Sequence, residues 1–189
     1  MESDKPVLSR RGFLTTSALG MSALVCSTSN LHAKSGRPNV VVVIADDLSR
    51  EDLGCYGGMN IQTPHIDQVA REGMRFERAF TATAMCAPMR MQLYTGLYPV
   101  RSGAYPNHSR VKEGVLSVAH YLGDLGYRVG LIGKWHIAPP EAFPFERVPG
   151  NMAPRGDWGG VQAFMTRDEA EPFCLFVCSN QPHTPLGQR

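Results

Sequence analysis

Long hydrophobic runs are scarce in this 189-residue chain. The apolar stretch from Ala18 to Val25 falls short of the ~20 residues that a membrane-spanning helix needs, and no other candidate span follows it. Charge of one sign is lacking too. Lys and Arg number 19 against 17 for Asp and Glu, a formal net charge of +2, and no long basic run gives nucleic acid a surface to bind. No internal repeat or low-complexity tract divides the chain. Cysteines are few: Cys26, Cys55, Cys86, Cys174 and Cys178. Cys86 has no partner at zinc-site or redox spacing, and its neighbours Met85, Met89 and Met91 read as core packing.

What is present suits one domain with a real core. The chain is 43% hydrophobic and 19% charged, which argues against disorder. With 19 Gly and 14 Pro, a loop-rich α/β protein fits better than a helical bundle. At the N terminus, Arg10 and Arg11 precede "GFL", a short apolar region follows, and Ala33 supplies a small residue. That order reads as a twin-arginine export signal over residues 1–33, with an ordinary amphipathic helix as the alternative. Val25 is too bulky for a lipoprotein site at Cys26. The expected mature chain begins near Lys34, in the periplasm or outside the cell. An oxidising compartment permits disulfides. Cys174 and Cys178, four apart in an extended segment, are nevertheless too far apart to bridge and read as buried thiols.

Three apolar runs carry the fold. Val40 to Ile44 is an uninterrupted β-branched run, the pattern of a strand buried on both faces of a parallel sheet. It ends in Asp46 and Asp47, where open α/β sheets place ligands. Two adjacent carboxylates repel unless a cation or hydrogen-bond donors lie between them; the alternative is a helix-capping pair. Thr63-Pro64 starts a helix carrying Ile66, Val69, Ala70 and Met74, and Gly73 ends it. "MRFERAF" alternates as a short strand. After Cys86 one or two helical turns are expected, closing at Gly96. Leu116, Ala119, Leu122 and Leu125 mark a helix stopped by Gly126, and "RVGLIGKWH" is the next strand. Lys134 and His136 stand two apart at its end, which in an extended segment puts both on one face. Residues 137–158 read as irregular, and residues 167–171 as the end of a solvated helix. "PFCLFVCSNQPHTP" gives a third buried strand, Phe173 to Cys178, with His183 beyond it. Three strand ends thus carry Asp46 with Asp47, Lys134 with His136, and His183.

Read together, "PNVVVVIADDL", "CAPMR" with "TGLYP", "GYRVGLIGKWH" and "PHTP" resemble the type I sulfatases of the alkaline-phosphatase-like superfamily, in the family's order. The resemblance implies an α/β fold: part of an alkaline-phosphatase-like sandwich with a mostly parallel central sheet, truncated at its C terminus. Residues 37–189 would be the N-terminal part of the catalytic domain. It also implies that Cys86 is a precursor, oxidised by a maturation enzyme to formylglycine, whose hydrate attacks sulfate sulfur with help from a divalent cation. By motif position Asp46, Asp47 and the residue at 86 would hold that cation, expected to be Ca²⁺. Arg90 would anchor the hydrate, Lys134 and His183 would hold sulfate oxygens, and His136 would move protons. Met89 departs from the small residue common at its place in the signature. "GKWHIAPPEAFPFERV" is similar to the sulfamidase branch, which points to a sulfated or N-sulfated glycan as substrate. The family's second metal-ligand pair and a further sulfate-binding Lys would fall after "PHTP", where this chain has only four more residues. Two other readings stay open: a phosphonate or phosphodiester hydrolase of the same superfamily, and a catalytically inactive, truncated remnant.

Overall fold

A four-stranded, all-parallel sheet in the order β1-β4-β2-β3 organises the chain. The computed structural model describes residues 36–152 and 156–183; the export segment, residues 1–33, lies outside them. The strands are β1 (Val40–Asp46), β2 (Arg128–Gly133), the two-residue β3 (Glu146–Arg147) and β4 (Phe173–Pro182). Helices α1 (Pro64–Glu72), α2 (Cys86–Thr95), α3 (Pro99–Ser102), α4 (Val118–Asp124) and α5 (Gly159–Thr166) connect them. None of the described helices is long and apolar enough to cross a membrane.

β4 is the central strand, and its alternation builds two cores. Phe173, Leu175 and Val177 face one layer with Ile132, Val148 and Phe164 of α5. Cys174, Phe176 and Cys178 face the other, with Ala87, Met91 and Tyr94 of α2 and Phe143 and Phe145. The two-residue period of a strand sends neighbours to opposite faces, so one apolar run serves both layers. Tyr94 is the hub of the second core, meeting Phe143, Phe145 and Phe176 edge-to-face with ring centroids 6.3, 5.0 and 5.1 Å away. Its hydroxyl lies 3.4 Å from Cys178 Sγ. Cys174 and Cys178 are free and buried, as the spacing led one to expect, and burial pushes the Cys174 thiol up to about 11.

Register aligns the strand ends. Cys178 of β4 pairs with Ile44 of β1 on one side and Gly133 of β2 on the other. Asp46, Lys134 and His183 therefore emerge at one edge of the sheet. Gly133 is needed there: its φ is +90°, and a Cβ would sit 2.0 Å from the Cys178 carbonyl oxygen. Gly133→Ala is expected to cost roughly 2 kcal/mol or more, read as a lower urea midpoint at unchanged slope.

Several sequence expectations need correction. β1 is not buried on both faces: Val42 and Ile44 pack against the core, but Val41 and Val43 on the opposite face are 48% and 72% exposed, since the other core layer does not reach β1 among the described residues. A β-branched run reports extended backbone, not what covers it. The segment "MRFERAF" is not a strand; it is irregular, with Phe76 and Phe80 exposed. Helix α1 has the expected bounds, yet Ile66, Val69 and Met74 are exposed rather than packed. Helix α2 is longer than one or two turns, running from Cys86 to Thr95 before Gly96 stops it with φ of +68°. Met91 is fully buried, whereas Met85 and Met89 are only half-buried. The described residues between 137 and 158 are irregular apart from β3 and a 3₁₀ turn at Pro140–Ala142. The solvated helix expected to end over 167–171 is α5, which stops at Thr166.

Candidate active site

Cys86 is the first residue of α2, with Met85 in extended geometry before it. Arg90 follows four residues later, and that spacing puts both on one face of the helix. This face looks back onto the sheet edge. Arg90 is completely buried, and its guanidinium is divided between two strands. Its Nη2 donates to Asp46 Oδ1 at 3.1 Å and its Nη1 to the Lys134 carbonyl at 3.3 Å. Lys134 Nζ donates to the other Asp46 oxygen, Oδ2. Asp46 thus joins α2, β1 and β2 through one carboxylate. Burial raises its pKa, but the hydrogen bonds from Lys134 and Arg90 outweigh that and hold it below the usual carboxylate range.

Asp47 is held differently. Its φ of 59° turns it away from the strand, and its exposed carboxylate lies 3.8 Å from His183 Nε2. One ligand atom each from Asp46, Cys86 and His183 lie within 4.8 Å of one another. Asp46 faces both Arg90 and Lys134, whereas Asp47 faces His183 instead. A hard divalent cation fits the Asp46 carboxylate, since each of its oxygens keeps a lone pair after accepting one hydrogen bond, whereas the Asp47 carboxylate is not among the ligand atoms that converge with it. The Cys86 thiol is the poor match: sulfur is soft, whereas an oxygen at that position would complete a hard donor set.

The structure separates Lys134 from His136 rather than placing them on one face. His136 has a φ of 49°, outside extended geometry, and points its ring at His108 instead. His136 Nε2 and His108 Nδ1 are 3.0 Å apart, with ring centroids 4.7 Å apart. Burial, then the positive charges of Lys134, His108 and Arg90, push the His136 pKa below its ordinary value. Asn107 ties this pair to α2 by accepting the Ala87 N–H through Oδ1 at 3.2 Å. Asn107 and His108 were not legible as site residues. They lie 28 and more residues from His136 in sequence, and nothing in "YPNHSR" signals the contact. Among the described residues, Asp47, His108 and His136 are the non-glycine positions with left-handed φ, and all three stand in this site. Strained backbone of this kind gathers where function over-determines geometry. A separate cleft of about 760 Å³, lined by Gly103, Arg110, Lys112, Leu116 and Glu141, contains none of these side chains.

The sulfatase family model matches residues 38–158. This chain belongs to the sulfatase family. Among sulfatases of known name it is similar to an ulvan-active sulfatase of Formosa agariphila, 38% identical over 157 residues, covering 80% of this chain and 31% of that protein. It is also similar to an N-acetylgalactosamine-6-O-sulfatase of Bacteroides thetaiotaomicron, 39% identical over 108 residues, covering 54% of this chain and 21% of that one. Among solved structures, a protein in complex with its substrate D-glucosamine-2-N,6-O-disulfate superposes with a TM-score of 0.68 at 26% identity, over 78% of this chain and 35% of that chain. The chain therefore spans less than a third of the length of these curated sulfatases. The mixed α/β fold with a parallel sheet is that of the alkaline-phosphatase-like sulfatases.

Proposed function

We propose that the complete protein hydrolyses sulfate esters or sulfamates carried on a glycan, using a formylglycine made from Cys86 and a bound Ca²⁺. The observation that carries this reading is the placement of Cys86 one helical turn from Arg90, beside an Asp46 carboxylate shared by Arg90 and Lys134. An N-acetylgalactosamine-6-O-sulfatase among the relatives, and a similar structure that holds D-glucosamine-2-N,6-O-disulfate as its substrate, support a sulfated glycan.

When present, the formylglycine supplies an oxygen nucleophile and the cation polarises the sulfate. The chain's own residues do the rest. Asp46 and Asp47 hold the cation through carboxylate oxygens. Arg90, fixed by its two hydrogen bonds, orients the side chain at 86 and offsets negative charge beside it. Lys134 and His183 hold sulfate oxygens, whose charge grows as the bond to the leaving group breaks. His136, whose pKa burial and neighbouring positive charge push below its ordinary value, can exchange a proton with the group at 86 or with the leaving oxygen. The partners this reading requires are a formylglycine-generating enzyme and a sulfated substrate; nucleic acid has no part in it. We extend it to export through the twin-arginine segment, residues 1–33, to the periplasm or beyond.

The test is turnover by the complete gene product, recovered from a host that supplies the maturation enzyme. Sulfated sugars should be hydrolysed much faster than the matching phosphate esters and phosphonates. A preference for the phosphorus compounds, or hydrolysis of neither, overturns the proposal.

A further inference from the structure

Cys86 has no ligand partner at zinc-site spacing in the sequence, but the fold brings two to it from distant segments. Asp46 arrives at the end of β1, Cys86 at the start of α2 and His183 just beyond β4. One ligand atom of each lies within 4.8 Å of the other two. A tetrahedral zinc site spaces its ligand atoms by about 3.2–3.8 Å, so a shift of roughly 1–1.5 Å at most closes the cluster. The His183 side chain is 40% exposed and has room to move by that much. Asp46 is buried and fixed by Arg90 and Lys134, yet each of its oxygens keeps a lone pair.

We propose that the unmodified chain, with a thiol at position 86, holds a divalent ion of the zinc class on Asp46, Cys86 and His183, with water in the fourth position. The donor set decides the metal. A thiolate, an imidazole nitrogen and a single carboxylate suit Zn²⁺, whereas Ca²⁺ and Mg²⁺ take oxygen ligands in larger number. On binding, the thiol gives its proton to solvent and the sulfur becomes an anion. That charge counts beside Arg90 and Lys134. With the carboxylates of Asp46 and Asp47, it offsets a divalent ion in a cleft that already holds two cations. An uncharged hydrated aldehyde at 86 would bring oxygen and no such charge. Converting residue 86 therefore exchanges a zinc-class site for a hard one, and the metal the cleft takes reports the state of that residue. The zinc site rests on the geometry alone; the exchange rests on the hydrolase reading above.

The full chain should be produced in a host without a formylglycine-generating enzyme, stripped of metal and titrated with Zn²⁺, and separately with Co²⁺ as a coloured substitute. One ion per chain should bind, cobalt should show the near-ultraviolet charge-transfer band of a thiolate ligand, and Ca²⁺ in large excess should displace neither. Cys86→Ala and His183→Ala should each weaken zinc by more than the roughly 10–100-fold lost when a group that merely orients a ligand is removed. Both positions are only partly buried, so far-ultraviolet circular dichroism should not change. Cys86→Ala should also abolish the band, and Cys86→Ser should do the same with a polar atom of similar size in place. Every variant retains the other cysteines. A band that survives at Cys86→Ala and Cys86→Ser, zinc affinity unchanged by these substitutions, or displacement by Ca²⁺ overturns the proposal. In the complete protein, maturation should remove the band and let Ca²⁺ compete with zinc. If residue 86 stays a thiol beside an active maturation enzyme, the hydrolase reading and the exchange fall together while the zinc site stands. If it becomes an aldehyde and Ca²⁺ still fails to compete, the exchange alone is overturned.

Discussion

Replacing Cys86 with alanine in the matured complete protein should lower sulfate-ester turnover by roughly 10³-fold or more, the scale seen when a covalent nucleophile is deleted. Folding should barely respond. Cys86 is half-buried at the first position of α2, and alanine is the best helix former, so the loss of one thiol leaves the packing of Ala87, Met91 and Tyr94 in place. Cys86→Ser makes a sharper comparison. It keeps an oxygen at the position and so satisfies a hard cation, but serine carries only one hydroxyl where a hydrated aldehyde carries two. Turnover should stay lost even if metal binding survives. Kinetics and thermal midpoints on the same preparations separate the two effects.

Arg90 should show the opposite balance, with stability and activity failing together. Its side chain is fully buried and joins α2 to Asp46 and to the Lys134 carbonyl. Arg90→Met fills the volume but leaves the buried Asp46 carboxylate with Lys134 as its one remaining cation. Breaking a buried pair from one side typically costs about 3–5 kcal/mol, so urea unfolding should shift by that order. Arg90→Lys should rescue little, because a single ammonium cannot reach a carboxylate and a carbonyl in two directions as the guanidinium fork does. Acid should expose the same link. Asp46 titrates below the ordinary carboxylate range, so its contribution is present above the pKa of an unfolded Asp. It is lost as pH falls through the lowered folded value, and Arg90→Met should therefore unfold at a higher pH than the native chain.

How far the sequence foretold these results depends on the range of each interaction. Strand positions were legible where local pattern and tertiary role coincide, as in Phe173 to Cys178, whose apolar residues serve both layers. The same kind of run at Val40 to Ile44 misled about burial, because exposure of Val41 and Val43 depends on which strands and helices flank β1, and no local signal encodes that. "MRFERAF" had the alternation of a strand but no partner strand among the described residues. The site divided the same way. Asp46, Lys134 and His183 lie in short motifs at strand ends, which the parallel register of Ile44, Cys178 and Gly133 brings together, and Cys86 and Arg90 lie in one motif on the face of α2 that meets them. His136 was named from the same motif, but its partner was not. The contact with His108 depends on left-handed backbone at both residues, and composition and periodicity do not report φ.

The central claim is that position 86 is made into an aldehyde, and the most direct measurement is the chemistry of that residue. The protein should be isolated from a host that supplies a formylglycine-generating enzyme, treated with a hydrazide probe and cleaved to peptides for mass mapping. The account predicts that the peptide containing residue 86 carries the probe, that Cys55, Cys174 and Cys178 remain thiols, and that Cys86→Ala abolishes labelling. An unlabelled peptide with an intact thiol at Cys86, in protein whose maturation partner is shown to be active on another substrate, would contradict it.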